Sequence, residues 1–313
     1  MLGRRQTVRL AFLCAWLGWA PLRAHAAQVP ILIVSAERNT AFTEAAEAFM
    51  SELERGGVSR SNVQYLTLAE ARASDTKAVQ LVLALGVEAS TELARSETRV
   101  PVLCAFVPSQ SFEQIVRSHP RKGASHFSAI YLNQSFGRQL DLIQLALPQR
   151  QRIGVLLGSH SSAQIALLDE ERRKRSLGLT HAQIEANEAM FTKLQPLLEA
   201  SQVLLALPDP QIYNSGTLQN ILLSALRAGV PMVSFSPAYV KAGALMAIYS
   251  TPAQVGQQAA ELARAALQGK ELGAPQYPRE FRIDVNTSLA RSMNLDMDAQ
   301  ALTERLKRLE HPK

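Results

Sequence analysis

Val29-Pro-Ile-Leu-Ile-Val-Ser35 is an apolar, largely β-branched run, and the segment after it, Asn39 to Arg55, changes period. No polar residue interrupts positions 31–34, so both faces of the run call for cover, as in a strand of a parallel sheet. In the second segment Ala45, Phe49 and Leu53 recur at helical spacing and mark one apolar face. Gly56-Gly57 then stops the helix, since glycine accepts the left-handed turn that ends it. A buried strand feeding a helix is the opening of a β-α-β unit, and how often the unit recurs decides the fold.

It recurs throughout. Asn62 to Leu68 reads as a strand with a short helix after it, and Ala78 to Leu85 as a strand ending at Gly86. A helix over Val87 to Arg95 leads to strands over Val100 to Val107 and His126 to Leu132. A second series opens with the helix Ser135 to Leu147, stopped by Pro148. Strands follow at Arg152 to Gly158, Thr180 to Ala186, Gln202 to Pro208, Val230 to Phe235 and Ala244 to Tyr249. Helices over Ser161 to Leu177, Ala189 to Ala200 (broken near Pro196) and Ser215 to Ala228 separate them. The helix Ala253 to Gly269, the strand Glu280 to Val285 and the helix Met297 to Leu309 complete the chain. The fold class this predicts is α/β, with two doubly wound parallel-sheet lobes joined by a hinge.

The N-terminus has a different character. Arg4, Arg5 and Arg9 precede the apolar run Leu10 to Trp19, and Ala24-His25-Ala26 follows Pro21. This is the order of a secretory signal peptide, residues 1–26, cleaved after Ala26; the run to Leu22 is too short to span a membrane. Cys14 sits inside the apolar core behind bulky Phe12 and Leu13, which does not fit a lipid attachment site. Residues 1–26 hold four arginines and no acid, so the net charge of +6 falls to 29 basic against 27 acidic side chains after cleavage. No basic stripe remains for a nucleic acid, and Glu170 to Arg175 mixes signs as a solvated helix face does. Cys14 leaves with the leader, so Cys104 is left without an internal disulfide partner. At 47% apolar and 19% charged, the chain buries a core rather than staying disordered.

Several stretches carry a resemblance. Gln80-Leu-Val-Leu-Ala-Leu-Gly86, Val100-Pro-Val-Leu103, Gln139 to Pro148 and Arg152-Ile-Gly-Val155 occur in an order that resembles the ABC-transporter substrate-binding proteins. Ala228 to Val233, Val240 to Leu245, and Val255 to Leu262 before Gln268-Gly269 continue it, so the likeness spans nearly all of 29–295. That family includes tryptophan- and tyrosine-binding members. The resemblance implies a type I periplasmic-binding fold and a chain that crosses between lobes more than once. By that analogy the first lobe is 27–133 completed by 251–278, the second is 134–250, and 279–313 supplies a crossover strand and C-terminal helix. It also implies a soluble periplasmic receptor delivering a small molecule to an inner-membrane ABC permease; without a lipid attachment site a Gram-negative cell is expected, and a monomer is assumed. Ser35-Ala-Glu-Arg-Asn39, Val107-Pro-Ser-Gln110 and Ser250-Thr-Pro252 depart from the family pattern, so the ligand does not carry over.

In open α/β sheets ligands bind beyond the carboxyl ends of the strands. The first-lobe candidates are therefore Ser35, Arg38, Asn39, Gly86, Phe106 and Ser109, with Val87 and Pro108 beside them. Those of the second lobe are Ser159, His160, Asp209, Tyr213, Asn214, Ser236 and Tyr239, with Ser161 and Pro237 adjacent. The family pattern supports Asp209 and Ser236 to Tyr239 best. Hydroxyls and amides at helix starts cap the helix or bind a ligand carboxylate with the same atoms, so each of these has two readings. Phe235 reads as core, whereas Tyr213 and Tyr239 divide between core and ligand contact. Nothing matches a nucleophile elbow, a nucleotide-binding glycine loop or metal-ligand spacing, so neither catalysis nor a cofactor is expected. The reading is a binding protein for import, with a ligand-sensing input to a signalling receptor as the alternative.

Overall fold

A computed structural model of the chain describes residues 31–74, 78–97, 99–119, 126–185 and 189–310; the signal peptide expected at 1–26 lies outside them. The strands β1 (Ile31–Ser35), β2 (Val63–Thr67), β3 (Leu81–Leu85), β4 (Val102–Val107) and β5 (Phe127–Tyr131) form an all-parallel sheet in the order β2-β1-β3-β4-β5. Between them run α1 (Thr40–Arg55), α2 (Leu68–Ala73), α3 (Val87–Arg95) and α4 (Ser109–Ser118). Every residue of β1 and β3 is buried, because helices cover both faces. Successive side chains take opposite sides. Ile31 and Ile33 pack with Phe49 and Leu53 of α1, whereas Leu32 and Val34 join the cluster of Ala89 and Phe112 from α3 and α4.

The second sheet follows α5 (Phe136–Ala146). Its strands are β6 (Arg152–Leu157), β7 (Gly178–Gln183), β8 (Val203–Leu205), β9 (Met232–Ser234) and β10 (Met246–Tyr249), joined through α6 (Ile165–Lys174), α7 (Met190–Ala200), α8 (Leu218–Arg227) and α9 (Pro237–Ala242). Then come α10 (Pro252–Leu267), β11 (Arg282–Val285), α11 (Thr287–Ser292) and α12 (Ala299–Glu310). The order is β11-β10-β9-β8-β6-β7, parallel except that β11 runs antiparallel to β10, with Met246 opposite Val285. Among the described residues no helix is long and apolar enough to cross a membrane.

The chain passes between the lobes at 132–135, at 250–251 and at 276–281. After the second passage α10 lies along α1, where Val255, Ala259, Ala260 and Ala263 meet Ala46, Phe49 and Leu53. Gly256 permits this close approach, since a Cβ there would overlap the Ala45 carbonyl oxygen. In the third passage Gln276 extends the first sheet, its N–H donating to Ala129 O and its carbonyl accepting from Tyr131 N, both at 2.9 Å.

Side chains tie the three passages together. Gln134 Nε2 donates to Ser250 Oγ at 2.9 Å, and Ser250 Oγ donates to Glu280 O at 2.6 Å. Buried Arg138 donates to Gln134 Oε1 at 2.6 Å and to Pro278 O at 2.7 Å. Its other nitrogens grip the Glu310 carboxylate in two bonds, and its guanidinium lies 4.6 Å over the Phe281 ring. The end of α12 is thereby fastened to the hinge.

Three short helices, α4, α9 and α11, fall where sequence periodicity suggested only loops. Two are locally capped, Ser236 accepting from Ala238 N at α9 and Asn286 accepting from Leu289 N at α11, whereas α4 follows Pro108 without a side-chain cap. The helix α7 runs through Pro196 without the expected break. Pro196 sits on its exposed side, away from buried Leu194, Leu197 and Leu198.

Candidate functional site

A cleft of about 440 Å³ opens between the lobes at the carboxyl ends of the two sheets. From the first lobe, α4 contributes Gln110, Ser111 and Gln114, flanked by Pro108 and by Asn133 after β5. The second lobe supplies Ser159, His160 and Gln164 after β6, then Pro208, Asp209, Pro210 and Tyr213 after β8, and Phe235 and Tyr239 after β9.

Local backbone geometry aims the first-lobe wall. The pairing of β4 with β5 shifts register between Ala105 and Val107, and Phe106 takes a left-handed φ of 59°. Phe106 leaves the ladder and packs edge-on against Phe42 of α1, with ring centres 5.5 Å apart. Beyond this bulge Pro108 and the first turn of α4 face the second lobe. Asn133 fastens that turn: its Oδ1 accepts from Ser109 N at 2.8 Å and its Nδ2 donates to Ser109 Oγ at 3.2 Å.

Asp209 organises the opposite wall. It is only 2% exposed, and its Oδ2 accepts from Gly158 N at 3.1 Å, His160 N at 3.2 Å and Ser161 Oγ at 2.8 Å. Oδ1 accepts from Gln211 N at 2.9 Å, and Gln211 Oε1 accepts in turn from Ser159 N at 2.9 Å. A carboxylate bonded this fully holds the β6 and β8 exits in one arrangement.

Three rings line the cleft beside it. Phe235 and Tyr239 have centres 5.0 Å apart, with Tyr213 at 6.3 and 6.2 Å from them. Tyr239 Oη donates to Tyr213 O at 3.3 Å. The Tyr213 hydroxyl is buried without a hydrogen-bond partner among the described residues, and burial holds its phenol far above the usual tyrosine range. One bond spans the cleft directly: Gln164 Nε2 donates to Gln110 Oε1 at 2.9 Å.

Of the residues singled out in the sequence, Ser159, His160, Asp209, Tyr213 and Tyr239 come together at this cleft. The others have partners elsewhere. Ser35 is buried at the end of β1, donating to Glu37 O at 2.8 Å and meeting Tyr65 Oη at 2.9 Å. Arg38 lies exposed over the Tyr65 ring and pairs with Glu70 at 3.1 Å. Asn39 caps α1, Ser236 caps α9, and Asn214 folds a turn by accepting from Gly216 N at 3.0 Å. Gly86 starts α3 at φ 90°, with the Phe42 ring where a Cβ would sit. Phe106 and Ser109 border the cleft wall without lining it, whereas Phe235, read as core, both packs and lines. Gln110, Gln114, Asn133 and Gln164 went unnoticed in the sequence. For Gln110 and Gln114 the signal was α4 itself, a polar-faced helix whose apolar stripe is Phe112 and Ile115.

The model of the family described as ABC transporter substrate binding protein matches residues 58–304. Comparison with curated protein sequences gives no match. Among solved structures, a ligand-free, open substrate-binding protein with adhesive properties from Clostridium difficile is similar at TM-score 0.70 and 16% identity, covering 86% of this chain and 96% of its own. A conserved domain protein from Vibrio cholerae has TM-score 0.60 and 17% identity, over 88% of this chain and 97% of that one. The ABC domain from Streptococcus pneumoniae in complex with L-Trp has TM-score 0.58 and 14% identity, over 88% and 98%. Identities this low speak for the fold alone. With its type I periplasmic-binding architecture and a family match running from just after α1 into α12, this chain belongs to the ABC transporter substrate-binding proteins.

Proposed function

We propose that this protein captures a small organic molecule in the interlobe cleft and delivers it to an ABC permease in the inner membrane. It works in the periplasm as a monomer, after loss of residues 1–26, and without catalysis. The lobes in this reading are 27–133 with 251–278, and 134–250, with 279–313 finishing the hinge and second lobe. Ser159, His160, Asp209, Tyr213 and Tyr239 form or frame the binding wall. One observation carries the reading: a cleft of ligand size is walled by both lobes, so a molecule filling it favours the closed form.

A thermal-shift screen across amino acids, aromatic acids, nucleosides, sugars and short peptides tests it. A cognate ligand at about 100 times its Kd adds about 2.7 kcal/mol of stability, which for a protein of this size is a rise of several degrees. Small-angle scattering in the same samples is expected to show contraction. Stabilisation by none of these classes would sink the proposal.

A further inference from the structure

We infer that the first lobe carries a second binding site, apart from the interlobe cleft, for a small amphiphile with an aliphatic chain and a single carboxylate. A hollow of about 390 Å³ lies between α2 and α3, and none of its lining residues belongs to the cleft. The inference stands without the function proposed above.

Element lengths account for the hollow. With six residues α2 is about 9 Å long, whereas the five residues of β1 run about 17 Å. Both α2 and α3 reach β1, yet they leave a gap between them. Leu32 and Val82, register partners on β1 and β3, form the floor with Val34. Leu68 of α2 and Leu93 of α3 wall it and stay only half-buried. Val79 and Val100, just before β3 and β4, carry it to the amino ends of the strands, away from the cleft at their carboxyl ends. The volume is that of a ligand pocket, and a chain laid on this floor leaves water for apolar contact.

Charge at the rim chooses the head group. Arg72 donates to Glu92 at 2.6 Å, so those two charges answer each other. The Ser96 hydroxyl donates to Leu93 O at 2.7 Å. Arg95 is exposed beside them, and its side chain has no hydrogen-bond or ion-pair partner among the described residues. One guanidinium is thus left over an apolar hollow, where a carboxylate pairs with it and an ammonium is repelled.

Calorimetry with octanoate, 1-octanol and octylammonium, which share one chain, tests this. Octanoate is expected to bind with a Kd below about 1 mM, about three- to ten-fold tighter than octanol, with octylammonium weakest. Arg95→Gln, a surface change, is expected to bring octanoate down to octanol, and Ala71→Trp, which fills the hollow, to abolish binding of both. Because the site touches one lobe only, octanoate should leave the radius of gyration in small-angle scattering unchanged. Octanol matching octanoate, an acid preference that survives Arg95→Gln, undiminished binding in Ala71→Trp, or no binding of octanoate overturns the inference. Contraction on adding octanoate also overturns it, by placing the acid in the interlobe cleft. None of these results touches the binding function of the cleft, which the wider ligand screen decides.

Discussion

Asp209 shows how a residue type can be read correctly in place and still be ambiguous in role. A carboxylate after a strand invites a ligand amine, yet here both oxygens are occupied by the loops around Gly158 and Gln211. Its weight is therefore in preorganisation, the cleft wall being held before any ligand arrives. Asp209→Ala leaves several buried donors unsatisfied and is expected to cost about 2–4 kcal/mol. The thermal midpoint should drop by on the order of 10 °C, measured by circular dichroism. A midpoint within a degree of wild type would mean that the loop network is not what holds this wall. Ser35, Asn39 and Ser236 teach the same lesson in the capping direction, for their side chains serve the backbone of their own helices or strand ends.

At the scale of elements, period and composition make strands and long helices plain, because burial on both faces removes every polar residue from the interiors of β1 and β3. Short helices such as α9 escape this reading, since six residues carry too little of a period to separate helix from turn. The contact of α1 with α10 joins segments some two hundred residues apart, and one glycine sets its closeness. Gly256→Ala raises helix propensity by about 1 kcal/mol and in an isolated helix would stabilise. Here its Cβ meets the Ala45 backbone, so a net loss of about 1–3 kcal/mol is expected in urea unfolding. A more stable variant would show that the two helices slide apart at little cost.

For the whole molecule the quantity that matters is the balance between open and closed lobes. The hinge cluster of Gln134, Arg138, Ser250 and Glu310 bonds the passages to one another, while the Gln110–Gln164 bond is a direct link from wall to wall. Gln164→Ala removes that link, worth about 0.5–1.5 kcal/mol, and shifts the balance toward open about two- to ten-fold. Small-angle scattering should record a larger radius of gyration without ligand, and apparent affinity should fall by a similar factor. Lower affinity at an unchanged radius would instead make Gln164 a plain ligand contact.

The sequence by itself determined the alternation of buried strand and helix, the two series of that alternation, and the family, because each is written in local periodicity and in the order of short stretches. It also marked the strand ends as the place to look. Which strand ends meet was decided only by the tertiary structure: the sheet order brings β4 and β5 beside the second lobe and leaves β1 and β3 to α1, so Gln110 and Asn133 face the cleft and Ser35 and Gly86 do not. Capping and ligand binding use the same atoms, and only the neighbours that folding supplies distinguish them.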